Sequence, residues 1–142
     1  MRQRLSTGVF LAAAAAGCLL LLACASQPES VPSGLSVAEL FQRAQDAADK
    51  RDFAFAIDCY SLVQKDHPED IAHGAWASYE IAFLYHKMGK DETALGLLQQ
   101  LLDRYAKEGA SLPFAPLVLA KNLKARLEAP PRVPSAKDSA PG

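Results

Sequence analysis

Ala44, Ala56, Tyr60 and Val63 recur as Ala82, Ala94, Leu98 and Leu101, each pair 38 residues apart and with identical internal spacings. This repetition of small and large residues constrains the fold more than any other feature of the chain. Where the two helices of a hairpin cross closely, only a small side chain fits, which suits Ala44 and Ala56. Tyr60 and Val63 lie four and seven residues beyond Ala56, on the helical face that turns toward neighbouring helices. A self-similar period of this length marks stacked supersecondary units, each burying its apolar face on the next. Strand-like alternation is scarce, and alanine and leucine, both good helix formers, dominate. The expected fold is all-α.

Local punctuation divides the helices. Ser36-Val37-Ala38-Glu39 is a capping box, in which the serine hydroxyl accepts from the backbone of Glu39 and the glutamate reaches back. Helices are expected over about 37–50, 53–66, 70–88, 91–106 and 115–128. Pro68 closes the first pair and Gly89 ends the third helix. Asp91 and Glu92 open the fourth, where the helix dipole favours acids. Gly109, Pro113 and Pro116 punctuate the approach to the fifth.

With these positions in place, the chain resembles the tetratricopeptide-repeat family. In the first copy the matching positions are Leu40, Ala44, Ala56, Tyr60, Val63 and Pro68, with Phe53 where an aromatic is usual. In the second they are Ala82, Tyr85, Gly89, Ala94, Leu98 and Leu101. Arg51 stands where the family's turn glycine is usual, and Ser78 where a bulky residue is usual. The period exceeds the family's ~34 residues by about one helical turn, best placed at the start of the third helix. The resemblance implies a helix-hairpin solenoid of two repeats, about 37–70 and 71–108, with the helix at about 115–128 as its C-terminal cap. Phe114, Leu117, Leu123 and Leu127 would cover the second hairpin, leaving Lys121, Lys124 and Arg126 to water. The N-terminal side has no obvious cap, which points to a partner, a homo-oligomer contact or the membrane surface.

The ends of the chain carry a second signal. Arg2 and Arg4 precede an uncharged apolar run from Val9 to Ala23, the order of parts in a signal peptide. Leu21-Leu22-Ala23-Cys24 resembles a bacterial lipobox, at which the leader (residues 1–23) is cut and the new N-terminal cysteine carries lipid. The runner-up is Cys18, after Ala15-Ala16-Gly17. It lacks the leucine three residues before the cut, and cleavage there would leave Leu19 to Leu22 at the mature start. An uncleaved membrane anchor is the remaining alternative. Residues 24–36, with Pro28, Pro32 and Gly34, read as a lipid-anchored flexible tether, and residues 129–142, rich in proline, alanine and serine, as a disordered tail. Ala25-Ser26-Gln27 carries no aspartate, which by the sorting rules of enteric lipoproteins implies the periplasmic face of the outer membrane rather than the inner membrane.

Composition and motifs narrow the function. The 142 residues carry a net charge of −1, and loss of a leader with two arginines makes the remainder more acidic. This is no nucleic-acid binder's profile, which needs a concentrated basic face. With Cys18 removed and Cys24 acylated, Cys59 is alone and reads as a small buried hydrophobe. His67, His73 and His86 are spaced six and thirteen residues apart without a patterned acid, so no metal site is expected. Asp66, Glu69 and Asp70 read as a solvated acidic turn. No glycine-rich phosphate loop and no activated nucleophile is recognisable, and neither a cofactor nor an enzymatic activity is expected.

Trp76, Tyr79, Phe83 and His86 share one face of the third helix. Two readings stand. In one, the stripe lines a concave groove that takes a partner, since tryptophan and tyrosine are common hot-spot residues. In the other, it packs as core on helix 1 (Phe41, Ala48) or on helix 5. The resemblance extends to repeat lipoproteins of outer-membrane barrel assembly and to the periplasmic coordinator of the Tol–Pal system. It implies a lipid-anchored scaffold for protein–protein interactions in the cell envelope. The alternative is an accessory component of a solute-transport or ligand-delivery system that uses the aromatic groove.

Overall fold

The computed structural model describes residues 30–130, and the expectations for the leader, for Cys18 and Cys24, for the start of the tether and for residues 131–142 lie outside them. Among the described residues five α-helices follow one another: α1 (Val37–Asp49), α2 (Phe53–Asp66), α3 (Ile71–Lys87), α4 (Asp91–Glu108) and α5 (Phe114–Glu128). A short 3-10 turn, Gly109–Ser111, precedes α5. No strand occurs among the described residues, and none of their helices is long and apolar enough to cross a membrane. The fold is all-α.

Helices α1, α2 and α3 start where the sequence supplies a side-chain acceptor for orphan backbone N–H groups. Ser36 Oγ accepts from Glu39 N at 3.3 Å while the Ser36 backbone N–H donates to Glu39 Oε2 at 2.9 Å, completing the capping box. Asp52 accepts from Phe55 N, and Asp70 accepts from His73 N. The two hairpin turns end their first helices alike. Arg51 N–H donates to the Ala48 carbonyl and Asp52 N–H to Ala47. Gly89 N–H donates to His86 and Lys90 N–H to Tyr85. Both are Schellman closures, and the closing residue is left-handed in each: Arg51 at φ 64° and Gly89 at φ 73°. These two residues are 38 positions apart. The same register places the last residues of α1 and α3 in correspondence, so the four residues by which α3 exceeds α1 lie at its start, Ile71 to Gly74.

Successive helices pack on one another, and α5 also reaches α3. Two apolar cores result. The first gathers Leu40, Ala44 and Ala47 of α1, Ala56, Cys59, Tyr60 and Val63 of α2, and Ala77, Ile81 and Leu84 of α3. The second gathers Ala75, Tyr79 and Ala82 of α3 with Leu98, Leu101 and Tyr105 of α4 and Leu112, Ala120 and Leu123 at α5. Helix α3 is thus buried on two faces. Ala44, Ala56, Ala82 and Ala94 are all fully buried. They are the small residues that let paired helices approach closely.

The approach to α1 is packed too. Val31, Leu35 and Val37 lie against the first core, and the His67 ring donates to the Leu35 carbonyl, with Nε2 to oxygen at 2.9 Å. At the other end, Tyr105 donates its hydroxyl to the Pro113 carbonyl at 2.6 Å, tying α4 to the turn that launches α5.

Candidate functional site

Helix periodicity puts Trp76, Tyr79, Phe83 and His86 on one side of α3, and the packing of α5 on that side then treats them differently. Tyr79 is buried within the second core. Burial pushes its phenol up, Glu80 adds to the rise, and Arg126 opposes it. Phe83 stacks on Tyr79 with ring centres 6.1 Å apart and is half-buried, as is Trp76; both lean on the second core. Lys87 Nζ lies 5.9 Å from the Phe83 ring centre. His86, at the end of the stripe, hydrogen-bonds Asp91 across the hairpin turn at 2.7 Å.

The stripe therefore borders two separate depressions between α1 and α3, which run side by side in the same direction. His86 and Lys87 face Ala48, Asp49, Arg51 and Phe53 in a wide hollow of about 490 Å³ at the turn end. Farther along, Trp76 lines a groove of about 330 Å³ with Ala38, Phe41, Gln45, His73 and Glu80. Phe41 anchors this groove. Its ring meets Tyr60 edge-on at 5.1 Å below and His73 edge-on at 5.4 Å beside it. The fully buried Ala44 and Ala56 fix α1 against α2 and so set where Phe41 stands.

Glu80 is the group the sequence reading missed. It sits one helical turn past Trp76 on the same face, a spacing that would have revealed it. Its side chain is half-buried, and no hydrogen bond or ion pair among the described residues includes it. Burial pushes its carboxyl above the usual carboxylate range. The Tyr60 phenol is pushed far up, by burial first and then by the nearby Glu80 charge. A carboxylate in this position is incompletely hydrated and has no counter-charge among the described residues.

The remaining candidates have local roles. His73 Nδ1 hydrogen-bonds Asp70 at 2.7 Å, and the His73 backbone N–H is the main cause that holds the Asp70 carboxyl below its ordinary value. His67, His73 and His86 are each engaged with a different partner. Among the described residues no three His, Cys, Asp or Glu side chains gather closely enough to hold a metal ion. Cys59 is fully buried, and burial pushes its thiol up, away from the reactive thiolate. Ser78, 38 residues after Leu40, accepts from Gln64 Nε2 at 2.7 Å and donates to the Gly74 carbonyl, so a hydrogen-bonded pair stands on α3 where α1 has a buried leucine.

Comparisons with protein-family models, with curated proteins and with solved structures find no match to this chain.

Proposed function

We propose that this chain is a lipid-anchored adaptor of the bacterial envelope, built on two tetratricopeptide-like hairpins with α5 as cap. In this reading it docks a segment of a partner protein in the groove between α1 and α3. The observation that carries the proposal is the groove itself: Phe41 and Trp76 are only half covered, and the space between them is open to solvent. Aromatic side chains left partly exposed in a concave surface are typical anchors for a partner. The repeat reading is supported by the 38-residue correspondence of buried alanines, of the Schellman turns and of the left-handed positions Arg51 and Gly89. The lipid anchor rests on the resemblance of Leu21–Cys24 to a lipobox. Restriction to a surface raises the effective concentration of a modest groove toward membrane-bound partners.

Affinity capture from detergent-solubilised envelope tests the adaptor role. The parent chain should retain a defined protein, and Phe41→Ala/Trp76→Ala should release it. A double variant that stays folded and captures the same protein equally well overturns the groove. Mass spectrometry of the mature chain tests the anchor. An N-terminus other than a lipidated Cys24 overturns that part alone.

A further inference from the structure

Glu80 calls for a ligand of definite chemistry. It is a half-buried carboxylate in a groove lined by the aromatic residues Phe41 and Trp76. No hydrogen bond or ion pair among the described residues joins it to the other polar liners. Gln45 carries no charge, and the His73 ring is already bonded to Asp70 at 2.7 Å. Among the described residues no lysine or arginine lines the groove. A site with aromatic walls and an unpaired carboxylate is complementary to a planar cation. An arginine guanidinium stacks on an aromatic face and offers parallel N–H donors to a carboxylate.

Resting on the adaptor reading above, we propose that the groove between α1 and α3 receives an arginine side chain of the docked partner segment, held between Phe41 and Trp76 with its guanidinium on Glu80. Apolar neighbours of that arginine would lie along the half-covered rings. Selection is electrostatic as well as steric. A neutral side chain leaves the Glu80 charge shielded from water without a partner, and an acidic one meets it with like charge.

Trp76 is the single tryptophan of the chain, so its fluorescence reports the groove directly. The full chain, solubilised in non-ionic detergent, is titrated with two acetylated and amidated tripeptides, leucyl-arginyl-leucine and leucyl-glutaminyl-leucine. The arginine peptide should change Trp76 emission saturably and bind at least about fivefold more tightly than the glutamine peptide. Glu80→Gln should abolish that preference while the helical spectrum and thermal transition persist. Three results overturn the proposal: no saturable change with the arginine peptide, equal binding of both peptides, or a preference that survives in Glu80→Gln. Arginine-peptide binding seen only after Arg132→Gln/Lys137→Gln would assign the groove to the chain's own C-terminal segment and overturn a partner as its occupant. Envelope capture without a charge preference sinks the arginine assignment and spares the adaptor reading. A charge preference in a chain that captures no envelope protein does the reverse.

Discussion

Arg51 and Gly89 occupy corresponding left-handed positions, and only one of them is glycine. A Cβ at Gly89 would meet nothing within 4 Å, so conformation rather than space is what favours glycine there. Left-handed backbone costs a residue with a Cβ about 1–2 kcal/mol. Arg51→Gly should therefore stabilise the chain by about 0.5–1 kcal/mol after the added freedom of the unfolded state is counted. Gly89→Ala should destabilise it by about 1 kcal/mol. Urea unfolding of both variants checks the pair. Glu80 supplies the pH-dependent counterpart. Its folded pKa lies above the unfolded value, so the fold disfavours its charged form. The penalty is present above the folded pKa and disappears as pH falls below the unfolded one. Glu80→Gln should therefore melt at a higher temperature than the parent at pH 7, with the gap closing as pH falls through the carboxylate range. Both effects begin in the backbone or side chain of one residue, but only the first is legible locally. A turn glycine and its exception can be read from spacing, whereas the missing counter-charge of Glu80 depends on what α1 places opposite it.

At the scale of the element, the hairpins depend on four fully buried alanines, Ala44, Ala56, Ala82 and Ala94. Enlarging one forces paired helices apart. Ala56→Leu should cost about 1–3 kcal/mol by overpacking. Ala54→Leu, two residues earlier on the exposed side of α2, should change stability by less than about 0.5 kcal/mol. Denaturant titration of the two variants separates crossing geometry from helix propensity. Helix starts and turns were legible because caps act locally: Ser36, Asp52 and Asp70 each bond a backbone N–H three residues on. The end of α4 was less so. It runs to Glu108, two residues past the expected end near 106, because Gly109 takes right-handed helical angles instead of closing the helix. The turn then continues as 3-10, and Tyr105 reaches across it to Pro113.

Across the whole molecule, α3 is shared by two cores, and α5 completes the second. Leu123 is almost wholly buried, and Ala120 and Leu112 accompany it. Removing residues 114–130 would uncover the faces of α3 and α4 that carry Ala75, Tyr79, Leu98 and Tyr105. Burial of one leucine-sized side chain contributes about 1.5–3 kcal/mol. Truncation before α5 should therefore lower the Tm by more than about 10 °C and raise binding of a hydrophobic dye, measured by scanning fluorimetry. An unchanged transition would show that α5 is an appendage rather than a cap.

The sequence by itself determined the helices, their caps, the turns and the small residues at the crossings, because each depends on interactions within a few residues or on a period that can be counted. It also put Trp76, Tyr79, Phe83 and His86 on one face. Tertiary structure decided what that face meets. Packing of α5 buried Tyr79 and half-covered Phe83, while the separation of α1 from α3 left Trp76 on an open groove with Phe41 and an unpaired Glu80. The reason is geometric: periodicity fixes the angle of a side chain around its own helix axis, but only the placement of neighbouring helices fixes whether another side chain, a counter-charge or water lies at that angle.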